Sequence, residues 1–413
     1  MKEYVHRRDN CRLCGSRDLE LVLHLNPSPI GDAYVPADKL KIVQEIYPLD
    51  LYLCKSCGHV QMLDIVDPEI LFGEYTFVTS SSPGLMEHFR KAAEELTSRT
   101  ELPDGSLVVE IGSNDGAMLR FFKDKGMRVL GIDPARDIAN KATESGLETL
   151  PTYFTYELAK KIKDTYGQAS MIIANNVFAH VDDLVDIAKG IQHLLAPDGI
   201  FVFEVSSLID VVQKMLFDTV YHEHLSFHSL KPLQAFFRKY GMEIIDVSGI
   251  PTKGGSMRGI VQLAGGKRLR SRSVDEMIEM EKKLGMDRAE TFREFAARID
   301  KVKSELLALL KDIKSKGKTV AGYGASVTVT TLVYNFELGR FLSFIVDDNR
   351  SKQNLFSPGY HIPVLSPQEL YDKKPDYVVI LAWNYAPQIM KKNQAYLDGG
   401  GHFIVPLPGV KIL

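Results

Sequence analysis

The stretch Leu107–Pro134, LVVEIGSNDGAMLRFFKDKGMRVLGIDP, constrains the fold of this chain more than any other. Leu107–Ile111 is a short apolar, β-branched run bounded by polar residues and glycine, which reads as a buried parallel strand. Gly112-Ser-Asn-Asp-Gly116 makes a tight turn, a helix is expected over about Ala117–Lys125, and Gly126 stops it. A second apolar run, Val129–Ile132, ends on Asp133. Strand, glycine turn, helix, strand and acid, with the acid about 20 residues after the first glycine, form a unit that holds an adenine nucleoside by its ribose hydroxyls.

The turn narrows the choice of ligand. A dinucleotide site needs G-x-G-x-x-G, so that bare backbone can approach a pyrophosphate at the helix N-terminus. Here Asn114 stands at the middle glycine, and Asp115 puts negative charge where phosphate would lie. A cofactor with an ammonium, a sulfonium and no phosphate suits these side chains, and S-adenosylmethionine is such a cofactor. The bland alternative is a Rossmann-type half whose turn holds nothing.

At 413 residues the chain should divide into two or three domains, since single cores seldom grow past about 250–300 residues. A net charge of -3 gives no overall electrostatic case for nucleic acid or an anionic membrane. No apolar run approaches the roughly 20 residues of a membrane-spanning helix, and MKEYVHRRDN carries no apolar signal core. The expected compartment is the cytoplasm, and nothing in the chain demands association, so a monomer is expected. All 4 cysteines fall in two CxxC pairs near the N-terminus, Cys11/Cys14 and Cys54/Cys57. Two such turns can aim four thiolates at one ion, the pattern of a closed structural zinc site without catalysis.

Further along, Phe72–Pro83 is aromatic and hydroxyl-rich, a loop expected near the cofactor, with Tyr75 either facing substrate or packed as a linker. A helix follows at about Leu85–Ser98, capped by Ser81 or Ser82 with Pro83 in its first turn. The strand Ser170–Ala174 runs out into Asn175-Asn176-Val177-Phe178-Ala179-His180, and ligands bind at the carboxyl ends of such strands. Phe217–His228 holds three of the 11 histidines, His222, His224 and His228. Metal binding does not match H-E-x-x-H spacing; a buried structural cluster and acid–base chemistry both remain open. If this segment is helical, Tyr221 and His224 share a face; if extended, Tyr221 and Glu223 do. Lys253-Gly-Gly-Ser-Met-Arg258 is a glycine turn in which Ser256 and Arg258 could hold an anion or simply close a hairpin. Ser273–Lys316 reads as two bridging helices with a solvated charged face. A second strand–glycine turn–helix starts at Thr319, with later strands ending on Asp347-Asp348 and on Ala382-Trp383-Asn384, so the chain is α/β twice over.

With these residues quoted, the sequence resembles the three-domain sugar C-methyltransferases, which add a branch methyl to C3 of a nucleotide-linked 4-keto-6-deoxy sugar. The likeness runs from CxxC…CxxC through EIGSNDG, ANNVFAHVDDL, FEV…FDTVYHEHLSF and GGSMR to GYGAS, VDDN and LAWNY. It implies an α/β fold of three parts: a zinc-binding module at 1–70, a Rossmann-like class I methyltransferase domain at 71–264 and a second Rossmann-like domain at 265–413. It implies S-adenosylmethionine at Glu110, Gly112, Asn114, Gly116, Asp133, Asn175 and Asn176, and structural zinc at the four cysteines. Its catalytic positions fall on His224 as general base, Glu223 orienting the imidazole, and Tyr221 and His180 at the enolate oxygen. The sugar nucleotide is implied at Tyr75, Ser256, Arg258, Tyr323, Gly324, Ala325, Ser326, Asp347, Trp383 and Asn384. The chain departs from the family pattern at Lys253, where a histidine is expected, and at Thr328-Val329-Thr330, where a Lys-Gly-Asn-like segment often follows GYGAS.

Two rival readings come from other classes. A nicotinamide-dependent sugar oxidoreductase or epimerase would use Gly322-Tyr-Gly-Ala-Ser-Val, which lacks the third glycine. A zinc-ribbon RNA-binding or RNA-methylating protein would need a basic, aromatic-interleaved stripe that this module lacks.

Overall fold

The structure, a computed structural model, describes residues 5–72, 78–100 and 102–413. Leu107–Ile111 and Arg128–Ile132 are strands and pair in parallel, with Ala117–Lys123 as the helix between them. They sit inside a seven-stranded sheet. Its order is Met242–Ile250, Ser256–Leu263, Leu195–Ser206, Ala169–Asn175, Leu107–Ile111, Arg128–Ile132 and Thr149–Leu150. Six strands run in one direction; Ser256–Leu263 runs against them, between Met242–Ile250 and Leu195–Ser206.

Alternation along the strands covers both faces with helices. Val108, Ile173 and Val202 point at Phe89, Ala93, Leu96, Met118 and Phe122. Val109, Ile172, Phe201 and Phe203 point the other way, onto Ile162, Ile191 and Phe237. The helix Pro83–Thr100 begins as its sequence predicts: the Ser82 hydroxyl accepts from Leu85 N at 3.4 Å, and Pro83 takes the first turn.

A four-stranded antiparallel sheet carries the cysteine module, in the order Ser226–Phe227, Val60–Met62, Tyr47–Cys54, Leu19–Ser28. Its outermost strand is thus contributed by a segment more than a hundred residues later. The C-terminal sheet has six strands: Val364–Leu365, Ile345–Val346, Val320–Tyr323, Tyr377–Ile380 and His402–Val405 in parallel, then Lys411–Ile412 antiparallel. The helices Arg272–Lys283 and Ala289–Ser315 bridge to it, as the charged periodic stretch predicts.

One apolar core joins the three regions. Leu23, Leu51 and Met62 of the cysteine module pack with Leu208, Val212 and Phe217, with Phe292 and Ile299 of the long helix, and with Val329, Phe336 and Ile345. Among the described residues no helix is long and apolar enough to cross a membrane.

Candidate active site

The glycine turn at the end of Leu107–Ile111 is built around acids. Gly112 has φ 70°, and a Cβ there would meet Val177 Cγ2 at 2.2 Å, so only glycine serves. Asp133 accepts from Asn114 N at 2.8 Å and from Ala135 N at 2.9 Å, which fixes its carboxylate at the strand end. Burial nevertheless raises its pKa, against the pull of those two N–H groups. Glu110 is buried, and its Oε2 has no hydrogen-bond partner. Burial, and then Asp133 and Asp115 beside it, push its pKa well up. Asp115 Oδ1 is likewise buried without a partner. A concentration of carboxylates with orphaned oxygens repels pyrophosphate and suits an ammonium or sulfonium group. The residues therefore fit S-adenosylmethionine by the chemistry of their donor set. Asn175 lies at this end of the sheet, with its amide nitrogen 2.8 Å from Met118 Sδ, and Asn176 takes φ 56° beside it.

The loop leaving Asn176 carries His180 to the second histidine group. The His180 and His224 rings lie 5.0 Å apart, and Phe72 stacks on the far side of His180 at 6.0 Å. The buried His180 Nε2 has no hydrogen-bond partner.

The segment after Phe217–Thr219, a single 3₁₀ turn, is neither continuous helix nor strand. It folds back so that His224 N donates to Tyr221 O at 2.9 Å. Tyr221 and His224 therefore meet, with the phenol oxygen 2.9 Å from Nε2. His224 Nδ1 lies 2.7 Å from the carbonyl oxygen of Thr219. A carbonyl only accepts, so Nδ1 holds the proton, Nε2 holds the lone pair, and the Tyr221 hydroxyl donates to it. Burial lowers the His224 pKa to about 3, so the imidazole is neutral at working pH.

Glu223 does not orient this ring: the Thr219 carbonyl occupies Nδ1 instead, because the turn brings backbone rather than a carboxylate to that nitrogen. Glu223 is buried, and its pKa is pushed up to about 7 by burial and by Asp32, with Lys253 opposing.

Ser256 and Arg258 are engaged within the protein. Ser256 is fully buried and donates to Thr252 O at 3.2 Å. Arg258 stands directly across from Glu204 on the neighbouring strand and donates to it at 3.1 Å, and to Glu95 at 3.2 Å. His88 and Thr252 complete the shell of Glu204, at 2.9 and 3.0 Å. The guanidinium is committed to buried carboxylate, which a cross-strand pair favours over an open turn.

In the C-terminal sheet the turn Gly324-Ala325-Ser326 is latched by Asp347, whose carboxylate accepts from Ala325 N at 2.5 Å. Tyr323 is buried and its hydroxyl donates to Asp348 at 3.0 Å. Trp383 is buried and donates to Asp218 at 2.9 Å, whereas Asn384 is exposed and lies against Gly254. Tyr75 lies outside the described residues.

The four cysteine sulfurs lie within 4.8 Å of one another. Thiolates on one tetrahedral zinc stand about 3.8 Å apart, given Zn–S bonds of ~2.3 Å. The set fits such an ion.

Three family models match in order: a zinc binding domain over residues 11–72, a methyltransferase domain over 86–247 and a C-methyltransferase C-terminal domain over 251–408. C-methyltransferase NovU of Streptomyces niveus is 36% identical over 414 residues, spanning 100% of this chain and 99% of that protein. This chain belongs to the three-domain C-methyltransferase family. Solved structures also overlay on part of this C-methyltransferase, S-adenosylmethionine-dependent methyltransferases among them. One from Clostridium acetobutylicum overlays with TM-score 0.35 at 10% identity, covering 48% of this chain and 96% of that one. The protein PH0226 of Pyrococcus horikoshii overlays with TM-score 0.37 at 14% identity, covering 48% and 98%.

The structure of this C-methyltransferase gathers His180, Tyr221 and His224 into one group and brings Glu223 near it. Several members of the surrounding shell left no sequence signal. The Thr219 carbonyl acts through backbone, His88 looks like an ordinary helix residue in the sequence, and Glu204 and Asp218 lie in quoted motifs without being assigned a role there. Lys253 alone had a cue, its place in a glycine-rich turn; it holds φ 52°, and its charge bears on Glu204 and Glu223.

Proposed function

We propose that this enzyme transfers a methyl group from S-adenosylmethionine to C3 of a nucleotide-linked 4-keto-6-deoxy sugar, in the making of a branched deoxysugar. The observation that carries the reading is the contact of His180, which follows the strand ending in Asn175, with His224, whose ring lone pair is on Nε2 and accepts from Tyr221. That contact joins the cofactor end of the sheet to a neutral base.

The 4-ketone acidifies the C3 hydrogen, and His224 takes it through Nε2. The Tyr221 hydroxyl turns from that nitrogen to the enolate oxygen, and His180 supplies a second polar group there. When bound, S-adenosylmethionine supplies an electrophilic methyl carbon on its sulfonium. Glu110, Asn114 and Asp133 hold the cofactor's polar groups, and Asn175 and Asn176 border it. The nucleotide rests on the C-terminal sheet, where Gly324–Ser326, Asp347 and Asn384 face the carboxyl ends of the strands. The four cysteines hold structural zinc. Domains divide near residues 70 and 264.

The test is incubation with S-adenosylmethionine and a panel of nucleotide-linked 4-keto-6-deoxy sugars, with mass detection. A gain of one methyl on a keto sugar, with loss of a C3 deuterium label, supports the reading. Methylation at oxygen, or none on any keto sugar, overturns it.

A further inference from the structure

The catalytic turn is held from behind by the C-terminal sheet. Trp383 Nε1 donates to Asp218 Oδ2 at 2.9 Å, and the Thr331 hydroxyl donates to Val220 O at 2.9 Å. Phe217 stacks on Phe336 at 5.0 Å. Thr219 lies between these tethers, and its carbonyl is the one that holds His224 Nδ1 at 2.7 Å. The Thr219 hydroxyl is turned inward onto Leu216 O at 2.6 Å, so it stiffens the same peptide.

Asp218 is 1% exposed, and its second oxygen has no hydrogen-bond partner. A buried acid with half of its acceptors idle is costly in an apolar junction. Burial pushes its pKa up to about 7, with the Trp383 N–H, then its own backbone N–H and the Thr328 hydroxyl, opposing. Trp383 is the chain's single tryptophan, and it follows the parallel strand Tyr377–Ile380 at the carboxyl end, where parallel sheets bind ligands.

We infer that Trp383 and Asp218 form a strut through which the C-terminal sheet sets the orientation and tautomer of the His224 imidazole, making both of them positioning residues. The inference rests on the reading of His224 as the base. The chain of contacts is short: indole N–H to Asp218 carboxyl, one peptide to the Thr219 carbonyl, and that carbonyl to Nδ1. A nucleotide sugar seated beside Asn384 touches the loop that carries the strut's foot. Substrate occupancy and base geometry are thereby mechanically linked, with no contact between Trp383 and the reacting carbon.

The experiment uses the full-length protein with Trp383→Phe, Asp218→Leu and Asp218→Asn. Phenylalanine keeps the ring packing and removes the N–H; leucine removes the acceptor; asparagine retains a carbonyl that the indole can reach. Circular dichroism and S-adenosylmethionine calorimetry establish folding and cofactor binding, expected within about twofold of wild type. The tautomer of His224 is read by long-range ¹H–¹⁵N NMR on histidine-labelled protein, its signal assigned by its loss in His224→Asn. Trp383→Phe and Asp218→Leu should lose the dominant Nδ1–H signal and at least tenfold in kcat, with KM moving less. Asp218→Asn should restore both. A wild-type tautomer signal in Trp383→Phe, or an Asp218→Asn protein as impaired as Asp218→Leu, overturns the strut. The NMR readout needs no substrate, so a wild-type enzyme inert on every keto sugar would sink the proposed reaction and leave the strut to be judged on the tautomer.

Discussion

The Arg12 guanidinium, inside the first CxxC turn, donates to the carbonyl oxygen of Leu225, the residue after His224, at 3.3 Å. The same group reaches Gln61 at 3.1 Å and Asp182 at 3.0 Å, and it is 1% exposed. The cysteine module is thus attached to the Tyr221–Phe227 segment by a buried cation as well as by the strand pairing of Val60–Gln61 with Ser226–Phe227.

Metal removal should therefore reach the active site. One zinc per chain is expected by elemental analysis. Stripping it with a thiol-reactive mercurial and chelator should lower the unfolding temperature and abolish turnover together. Arg12→Ala should destabilise by about 3 kcal/mol, since it takes the buried donor away from the Met62 and Leu225 carbonyls, while Asp182 keeps Arg8. A metal-free protein with full activity would contradict this.

The cofactor turn is the next target. Asp133→Ala removes the carboxylate that accepts from Asn114 N and Ala135 N. Charge-assisted bonds contribute about 1.5–3 kcal/mol, so S-adenosylmethionine affinity should fall roughly 10- to 100-fold by calorimetry. Gly112→Ala should do worse, because it drives a Cβ into Val177 and also unfolds the turn. Equal affinities in wild type and Asp133→Ala would move the cofactor elsewhere.

His224→Asn should cut turnover by about 10²–10⁴-fold, the usual contribution of a general base, with cofactor affinity nearly unchanged. The imidazole must be neutral to act, and burial holds its pKa near 3. The acid limb of kcat/KM should accordingly lie well below pH 6, not at the usual histidine value. A limb near 6.5 that disappears with His224→Asn would refute the assigned environment.

Stability should also depend on pH through the buried His59–His228 pair, whose rings stack at 5.4 Å. Burial lowers the His228 pKa to about 4, while its unfolded value is about 6.5. A depressed histidine leaves stability intact above the unfolded value, and stability is lost as pH falls from there towards 4. Between pH 7 and 5 this one group costs about 2 kcal/mol. His228→Gln keeps a donor for Phe178 O and removes the titration, so urea unfolding should show a smaller loss over that interval. Identical losses in the two proteins would exclude His228 as a contributor.

Local periodicity and turn chemistry made much of this legible in the sequence. The strand at Leu107–Ile111, the Ser82–Pro83 helix start and the four cysteines are each dictated by neighbours a few residues away. Side-chain partners set by sheet register are not legible in motif position. Arg258 follows a glycine turn that could hold an anion or simply close a hairpin, and its place directly across from Glu204 is set by sheet register. The partner of His224 is a backbone carbonyl, which no side-chain pattern encodes. Ser226–Phe227 joins the cysteine module's sheet only because the chain returns from far away in sequence.

The apolar core that threads Leu51, Phe217, Phe292 and Phe336 together limits how such enzymes can be recombined. A hybrid made by grafting a relative's C-terminal half at the loop before Arg272 would join side chains from two different cores, across the seam that carries Phe217. Altering substrate preference by shuffling calls for exchanging the Phe217–Thr219 turn, the long bridging helix and the receiving sheet as one block.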